Sequence, residues 1–308
     1  MITLGSTGLD VFEIGLGTVE LGIPSYGVKL PSEKAKTEKE AVKFLHSALE
    51  MGVNFYDTAA LYGSSEDIIG KAFADRRDKA VIATKCVHLE DSWFETSGEI
   101  YSNFMKSIKN SLKRLSTDYV DVLQLHSSNE KILSHEEVIK FFEDAKKEGL
   151  IRFSGASVYG ADDAKLAVSA PHMDLVQLAY NVFDRRMDDE VLPMAASLGK
   201  GVIIRSILLR GALTPRIEHF NKSSELAVRE RVLSLADKLS CSLEDLPAIC
   251  TSFVLTKRHG VALIGAGNES ELKTALCSID LSLSDKELEI LDSYRTDNLQ
   301  IIEPFRWD

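Results

Sequence analysis

Clustered positive charge is missing from this chain. Its 36 Lys and Arg stand against 47 Asp and Glu, a formal net charge of -11 at pH 7. Affinity for a phosphate backbone comes from massed Lys and Arg, so a nucleic-acid partner is not expected. Cysteines number only four (Cys86, Cys241, Cys250 and Cys277), and none forms a C-x-x-C pair. They read as buried thiols of a reducing compartment, with no metal site implied. Long apolar runs are also absent: the longest are strand-sized, too short to span a bilayer, so no membrane partner is expected. Met1-Ile2-Thr3-Leu4-Gly5 carries no basic region followed by an apolar stretch, which argues against a signal peptide. The expectation is a soluble, cytoplasmic protein.

What is present is the composition of a globular enzyme-sized chain. Its 308 residues are 44% hydrophobic and 27% charged, enough to bury a large core. No Pro/Ser-rich linker interrupts it, so 1–308 reads as one domain. After a small hairpin (Ile2-Thr3-Leu4, a Gly-Ser-Thr-Gly turn, Asp10-Val11-Phe12), apolar runs alternate with amphipathic segments. The runs are Ile14 to Gly17, Val53 to Asp57, Ala80 to Lys85, Tyr119 to His126, Ile151 to Ala156, Leu175 to Ala179, Val202 to Arg205 and Val261 to Gly265. Helices are expected near 38–51, 66–73, 99–114, 135–147, 161–169, 188–198, 224–239, 243–257, 269–276 and 284–294. The polar stretch 32–36 reads as a solvated loop. Eight strand-helix units predict an α/β fold, a closed (β/α)8 TIM barrel with a short N-terminal β-hairpin. A doubly wound open sheet is the competitor, with fewer units and a nucleotide site near its first strand.

Barrel chemistry lies at the C-terminal ends of strands. Asp57, Lys85 and His126 close three consecutive runs, and Tyr62 follows the first of them closely. Neighbouring strand tips lie about 5 Å apart, so the four side chains share one mouth. Singly each has a bland reading: Asp57 as a helix cap, Tyr62 as a loop aromatic, Lys85 as a strand-end charge, His126 as a structural histidine. Together they have complementary tasks. A phenol, with a pKa near 10, donates poorly at neutral pH; a Lys85 ammonium favours the phenolate, and a shift of roughly two units is worth about 3 kcal/mol. Asp57 would hold Lys85 charged, and His126 would orient a substrate carbonyl. That suits protonation of an oxygen becoming an alkoxide. A competing chemistry is a Schiff base at Lys85, as in aldolase-type barrels. A phosphate site is offered by Ile264-Gly265-Ala266-Gly267-Asn268-Glu269-Ser270, where glycines and a helix start could approach an anion; Ser270 replaces the third glycine of a Rossmann fingerprint.

With these residues in view, the chain resembles the aldo-keto reductases from end to end. The matching segments are Leu4-Gly5-Ser6-Thr7-Gly8-Leu9, Gly15-Leu16-Gly17-Thr18, Gly52-Val53-Asn54-Phe55-Tyr56-Asp57-Thr58-Ala59, Tyr62-Gly63-Ser64-Ser65-Glu66, Ala83-Thr84-Lys85, Leu112-Lys113-Arg114-Leu115 and Tyr119-Val120-Asp121-Val122. The resemblance implies an Asp-Tyr-Lys-His tetrad at Asp57, Tyr62, Lys85 and His126. It also implies an NAD(P)(H) cofactor and a small-molecule carbonyl or alcohol substrate. For the cofactor it implies contacts from Thr18 and Asp57, from Ser157 and Gln177 to the carboxamide, and from Tyr180 stacking on the ring. Ser206, Leu208 and Arg210 fall on the family's pyrophosphate loop, and Gly265, Gly267, Asn268 and Glu271 on its adenosine end. Val158 departs from the family's usual Asn. Gly267 stands where many members have a basic residue, Glu271 where they have Arg or Gln, and Ala275 where they have Asn. A carboxylate there repels a 2'-phosphate and accepts from a 2'-hydroxyl, so the lean is toward NAD(H), with Lys273 the nearest opposing cation. Val19, Trp93 and the segment 302–307 are expected as pocket walls. A cofactor-sensing, non-enzymatic subunit is the alternative of a different class.

Overall fold

In the computed structural model, residues 1–28 and 35–307 are described. Among the described residues there are ten strands: β1 (Ile2–Thr3), β2 (Asp10–Val11), β3 (Ile14–Gly17), β4 (Phe55–Asp57), β5 (Val81–Lys85), β6 (Val120–Leu125), β7 (Ile151–Ser157), β8 (Leu175–Ala179), β9 (Gly201–Arg205) and β10 (Val261–Gly265). β1 and β2 pair antiparallel, while β3 to β10 close a parallel barrel in sequence order, β10 returning to β3. The expected (β/α)8 barrel with its N-terminal hairpin is therefore the observed fold.

Alternation along the strands explains how the barrel places its polar groups. Successive side chains face opposite sides, so residues two apart share a face. Phe55, Ala83, Val122, Leu175, Ile203 and Leu263 form one buried cluster, closed from beneath by Leu4, Leu9 and Val11 of the hairpin segment. Each such Leu, Ile or Phe stabilises the fold by about 1.5–3 kcal/mol. Two residues further along the same strands come Asp57, Lys85, Gln124, Gln177, Arg205 and Gly265. An apolar layer thus supports a polar one at the C-terminal mouth. Gly15 is required inside: a Cβ there would lie 2.9 Å from the Phe55 ring.

The other faces of these strands pack against the helices in a second, larger cluster that includes Leu16, Tyr56, Ile82, Leu123 and Leu178. Helix Glu38–Glu50 opens with a capping box, Thr37 accepting from the Glu40 N–H while the Glu40 carboxylate accepts from the Thr37 N–H. Helix Glu99–Leu115 ends in Lys113 and Arg114, as its dipole favours. Four expected helices are shorter by two residues or more than the apolar pattern predicted: Val191–Ser197, Leu226–Leu239, Leu246–Thr256 and Asp285–Ser293. The solvated-loop expectation for 32–36 falls partly outside the described residues; Ala35 and Lys36 are described as irregular chain.

Candidate active site

A cavity of about 410 Å³ opens at the C-terminal mouth, and Asp57, Tyr62, Lys85 and His126 all line it. Asp57 and Lys85 are the last residues of β4 and β5, and His126 follows β6 directly. Tyr62 reaches the cavity from the loop before helix Ser65–Phe73. That loop is fixed by Tyr62 N–H donating to Ala59 O and Ser65 N–H donating to Tyr62 O. Gly22 clamps it from the other side: a Cβ at Gly22 would stand 1.8 Å from Tyr62 O, so only glycine fits.

Lys85 Nζ donates to Asp57 Oδ2 at 2.5 Å and to Thr58 O at 3.0 Å. The other Asp57 oxygen accepts from Gln124 Nε2 at 3.1 Å and Gln177 Nε2 at 2.8 Å. Burial on its own would push the Lys85 pKa down. The Asp57 carboxylate, and after it Tyr62, outweigh that and hold it above its ordinary value. Lys85 Nζ sits 5.1 Å from the centre of the Tyr62 ring. His126 meets Tyr62 edge-on at 5.5 Å between ring centres, and His88 stacks on its face at 4.5 Å. Burial, then Lys85, His88 and Arg205, lower the His126 pKa to about 3, so its imidazole is neutral at physiological pH. Its Nδ1 is buried without a partner.

Of the expected cofactor contacts, Thr18, Asp57, Ser157, Gln177, Ser206, Leu208, Arg210 and Gly265 line the same cavity. The Thr18 hydroxyl, however, is committed to Asp57 O and Ser65 Oγ, both at 2.8 Å, and ties two loops together. Ser206, Leu209 and Arg210 adopt positive φ angles of 62°, 48° and 55°. Left-handed backbone at non-glycine residues costs roughly 1–3 kcal/mol each, and such strain concentrates at functional segments.

Four expected contacts lie outside the lining. Tyr180 is wholly buried behind the barrel, edge-on to His259 at 5.5 Å, rather than at the mouth. It stands three residues from the inward-facing Gln177, an odd spacing that turns it to the other face of β8's continuation. Gly267, Asn268 and Glu271 form a separate group beside the cavity. Asn268 caps helix Glu269–Cys277 by accepting from the Glu271 N–H at 3.0 Å. Glu271 accepts from Gly267 N–H at 2.7 Å and from Arg216 Nη2 at 2.8 Å. Its carboxylate therefore sits opposite a cation that sequence reasoning had not singled out. Among the expected walls, Val19, Pro304 and Phe305 line the cavity and Trp93 does not.

Sequence reasoning also passed over Gln124, His88 and Arg205. The signal for Gln124 was available: a glutamine within Val120–Leu125 on the inward face of a buried strand must find a partner. Gly155 makes room for it, since a Cβ there would approach Gln124 Cγ to 3.1 Å.

The aldo/keto reductase family model matches residues 13–296, and the chain belongs to that family. It is 34% identical over 220 residues to the uncharacterized oxidoreductase YqkF of Bacillus subtilis, covering 69% of this chain and 66% of that protein. With the aldo-keto reductase YhdN of the same organism it shares 30% over 222 residues, 70% of this chain and 64% of that one. The match thus spans just under two thirds of those two relatives. An NADH-specific methylglyoxal reductase of Escherichia coli is matched over 94% of this chain and 96% of its own length, at 26% identity. Among solved structures, a thermostable aldo-keto reductase, Tm1743, in complex with the inhibitor epalrestat superposes with a TM-score of 0.70. It is 28% identical, with 94% of this chain and 98% of that one covered. The holo form of an aldo-keto reductase from Bacillus halodurans gives a TM-score of 0.78 at 24% identity, covering 97% and 98%, a likeness of fold.

Proposed function

We propose that this chain, 1–308 as one unit, is a nicotinamide-dependent oxidoreductase that interconverts a carbonyl and an alcohol. The observation that carries the reading is the convergence of the Asp57–Lys85 pair, Tyr62 and His126 on one cavity. The residues present fit a nicotinamide cofactor. With Gln177 Nε2 donating to Asp57, its Oε1 is left as an acceptor for the carboxamide, and Ser157 lies alongside on the lining. Gly17 and Gly265 edge the cavity and bring no side chain into it: a Cβ there would meet its nearest atom at 3.7 Å and 3.6 Å, respectively. When bound, that cofactor supplies the hydride.

The protein's own residues handle the proton. Neutral His126 offers one N–H to the substrate carbonyl oxygen and orients it. Tyr62 transfers its hydroxyl proton to that oxygen as it gains charge, and takes it back when an alcohol is oxidised. Lys85 stabilises the phenolate left behind, and Asp57 keeps Lys85 charged and in place. The same pairing speaks against an aldolase-type Schiff base, which needs a neutral amine. A cytoplasmic location accords with the four free cysteines.

Preference for NAD(H) is part of the proposal, in line with the NADH-specific relative from Escherichia coli. Glu271 already occupies the Gly267 N–H and the Arg216 guanidinium, donors that a 2'-phosphate would need. The test is a fluorescence titration with NADH and NADPH, followed by turnover of a panel of aldehydes. Tighter NADH binding with turnover is expected. Binding without any turnover favours a cofactor-sensing subunit, and no binding of either ends the reading.

A further inference from the structure

Lys85 and Arg216 line the cavity with a carboxylate opposite each, Asp57 and Glu271. Arg205 is different. It is the last residue of β9, on the inward face above Ile203, and lines the same mouth. Its Nη2 donates to Val158 O at 2.9 Å and its Nη1 to Ser206 Oγ at 3.3 Å. The guanidinium lies 4.5 Å from the centre of the Tyr159 ring, and Tyr159 in turn meets Phe305 edge-on at 5.7 Å. Every one of these partners is neutral; among the described residues no carboxylate pairs with Arg205. A guanidinium has five N–H donors in a rigid fork. Two are engaged here, which leaves three and a full positive charge on a side chain whose position is already fixed.

We infer that Arg205 is the substrate-recognition cation of this mouth, selecting aldehydes or ketones that also carry a carboxylate. The inference rests on the oxidoreductase reading above and names its substrate class. A fixed guanidinium matches a carboxylate in geometry and charge, and such bonds are the stronger class of hydrogen bond. Arg205 shares its wall with Tyr159 and Phe305 and lies close enough to His126 to act on its charge, which places the anion on the substrate. An anion from the cofactor's diphosphate is the other source, and the test separates the two.

The experiment compares succinic semialdehyde with its methyl ester, in wild type and in Arg205→Gln and Arg205→Lys. Wild type should favour the acid by ten- to a hundredfold in kcat/KM, mainly through KM. Arg205→Gln should erase that preference, and Arg205→Lys should keep part of it. Equal losses for acid and ester, or no preference in wild type, would overturn the inference; so would a loss traced to weaker NADH binding, which assigns Arg205 to the cofactor. Calorimetry with butyrate and butyramide, NADH present, judges the anion site without turnover. Butyrate binding that Arg205→Gln abolishes supports the site even if neither aldehyde is reduced, an outcome that instead sinks the oxidoreductase reading. Butyrate binding unchanged by the substitution removes Arg205 from the argument.

Discussion

Among the buried aspartates of this barrel, Asp57 and Asp121 are each held by cations, and of these two only Asp57 faces the cavity. Asp57, at the C-terminal tip of β4, accepts from Lys85, Gln124 and Gln177, and its partner lysine is 1% exposed. Asp121, near the N-terminal end of β6, accepts from Arg77 at 2.7 Å, Arg152 at 2.8 Å and the Ile82 N–H at 2.9 Å. It faces outward, and its arginines reach solvent, with Arg152 48% exposed. Both residues sit in segments that carry the family resemblance. A buried acid with a cation is therefore not by itself a mark of catalysis. What separates the two is the company: Asp57 tunes a lysine beside a phenol and an imidazole, whereas Asp121 bolts three strands together.

The largest effect expected from this distinction is on Tyr62→Phe. Removing one hydroxyl from the cavity should lower kcat by about 10²–10⁴ while NADH affinity stays within twofold. Asp121→Asn should leave kcat untouched. Stopped-flow turnover and cofactor titration of both variants decide it, and a Tyr62→Phe enzyme with wild-type kcat would erase the contrast.

Stability gives the second test. Asp57→Asn leaves the Lys85 ammonium buried without its counter-charge, a loss of roughly 3–5 kcal/mol. Asp121→Asn should lose only about 1–3 kcal/mol, because its arginines turn to water. The double variant Asp57→Asn/Lys85→Met should recover most of the first loss while remaining inactive, since apolar replacement of a buried pair is often neutral or stabilising. Chemical denaturation of the three variants checks the ranking. A double variant as unstable as Asp57→Asn would mean that the pair stabilises the fold and is not retained for chemistry.

The third effect is on acid stability. His126 has its pKa lowered to about 3 in the folded protein, against about 6.5 unfolded. Below pH 6.5 the unfolded chain therefore binds a proton that the folded one refuses. Stability is lost as pH falls from 6.5 toward 3, by at most about 1.4 kcal/mol per pH unit from this residue. His126→Gln should flatten that dependence, measured as the shift in denaturation midpoint between pH 7 and pH 5. An unchanged slope would mean that His126 is solvated and protonates normally.

How far the sequence could be read follows from which signals are local. Strand runs ending in Asp57, Lys85 and His126 were legible because a charge closing an apolar run is visible in a few residues. Gln177 came from the family resemblance; alternation alone would have placed it inward and would have turned Tyr180 away from the mouth. Arg216 was illegible for another reason. It comes from the segment after β9 and meets Glu271, 55 residues on, through a pairing that only the closed barrel creates. Gly22 against the Tyr62 loop is similar: its need for glycine arises from contact between two distant loops.

Glu271 and Arg216 are the third acidic pair in the comparison and the most exposed of these carboxylates, with Glu271 30% accessible. Their pairing is screened, so its effect should be smaller than either of the others. Glu271→Gln keeps an acceptor for the Gly267 N–H and removes the charge that engages Arg216. If this group faces the cofactor's 2'-position, the Glu271 carboxylate no longer repels a 2'-phosphate, and the NADPH-to-NADH affinity ratio should rise by roughly tenfold, the scale of one charge-assisted contact. The rise should shrink in high salt, as expected for a partly exposed charge. A ratio that does not move would place the 2'-position elsewhere. The pair would then join Asp121 as a structural clasp, here tying the segment after β9 to the helix after β10, and the NAD(H) preference would need another origin.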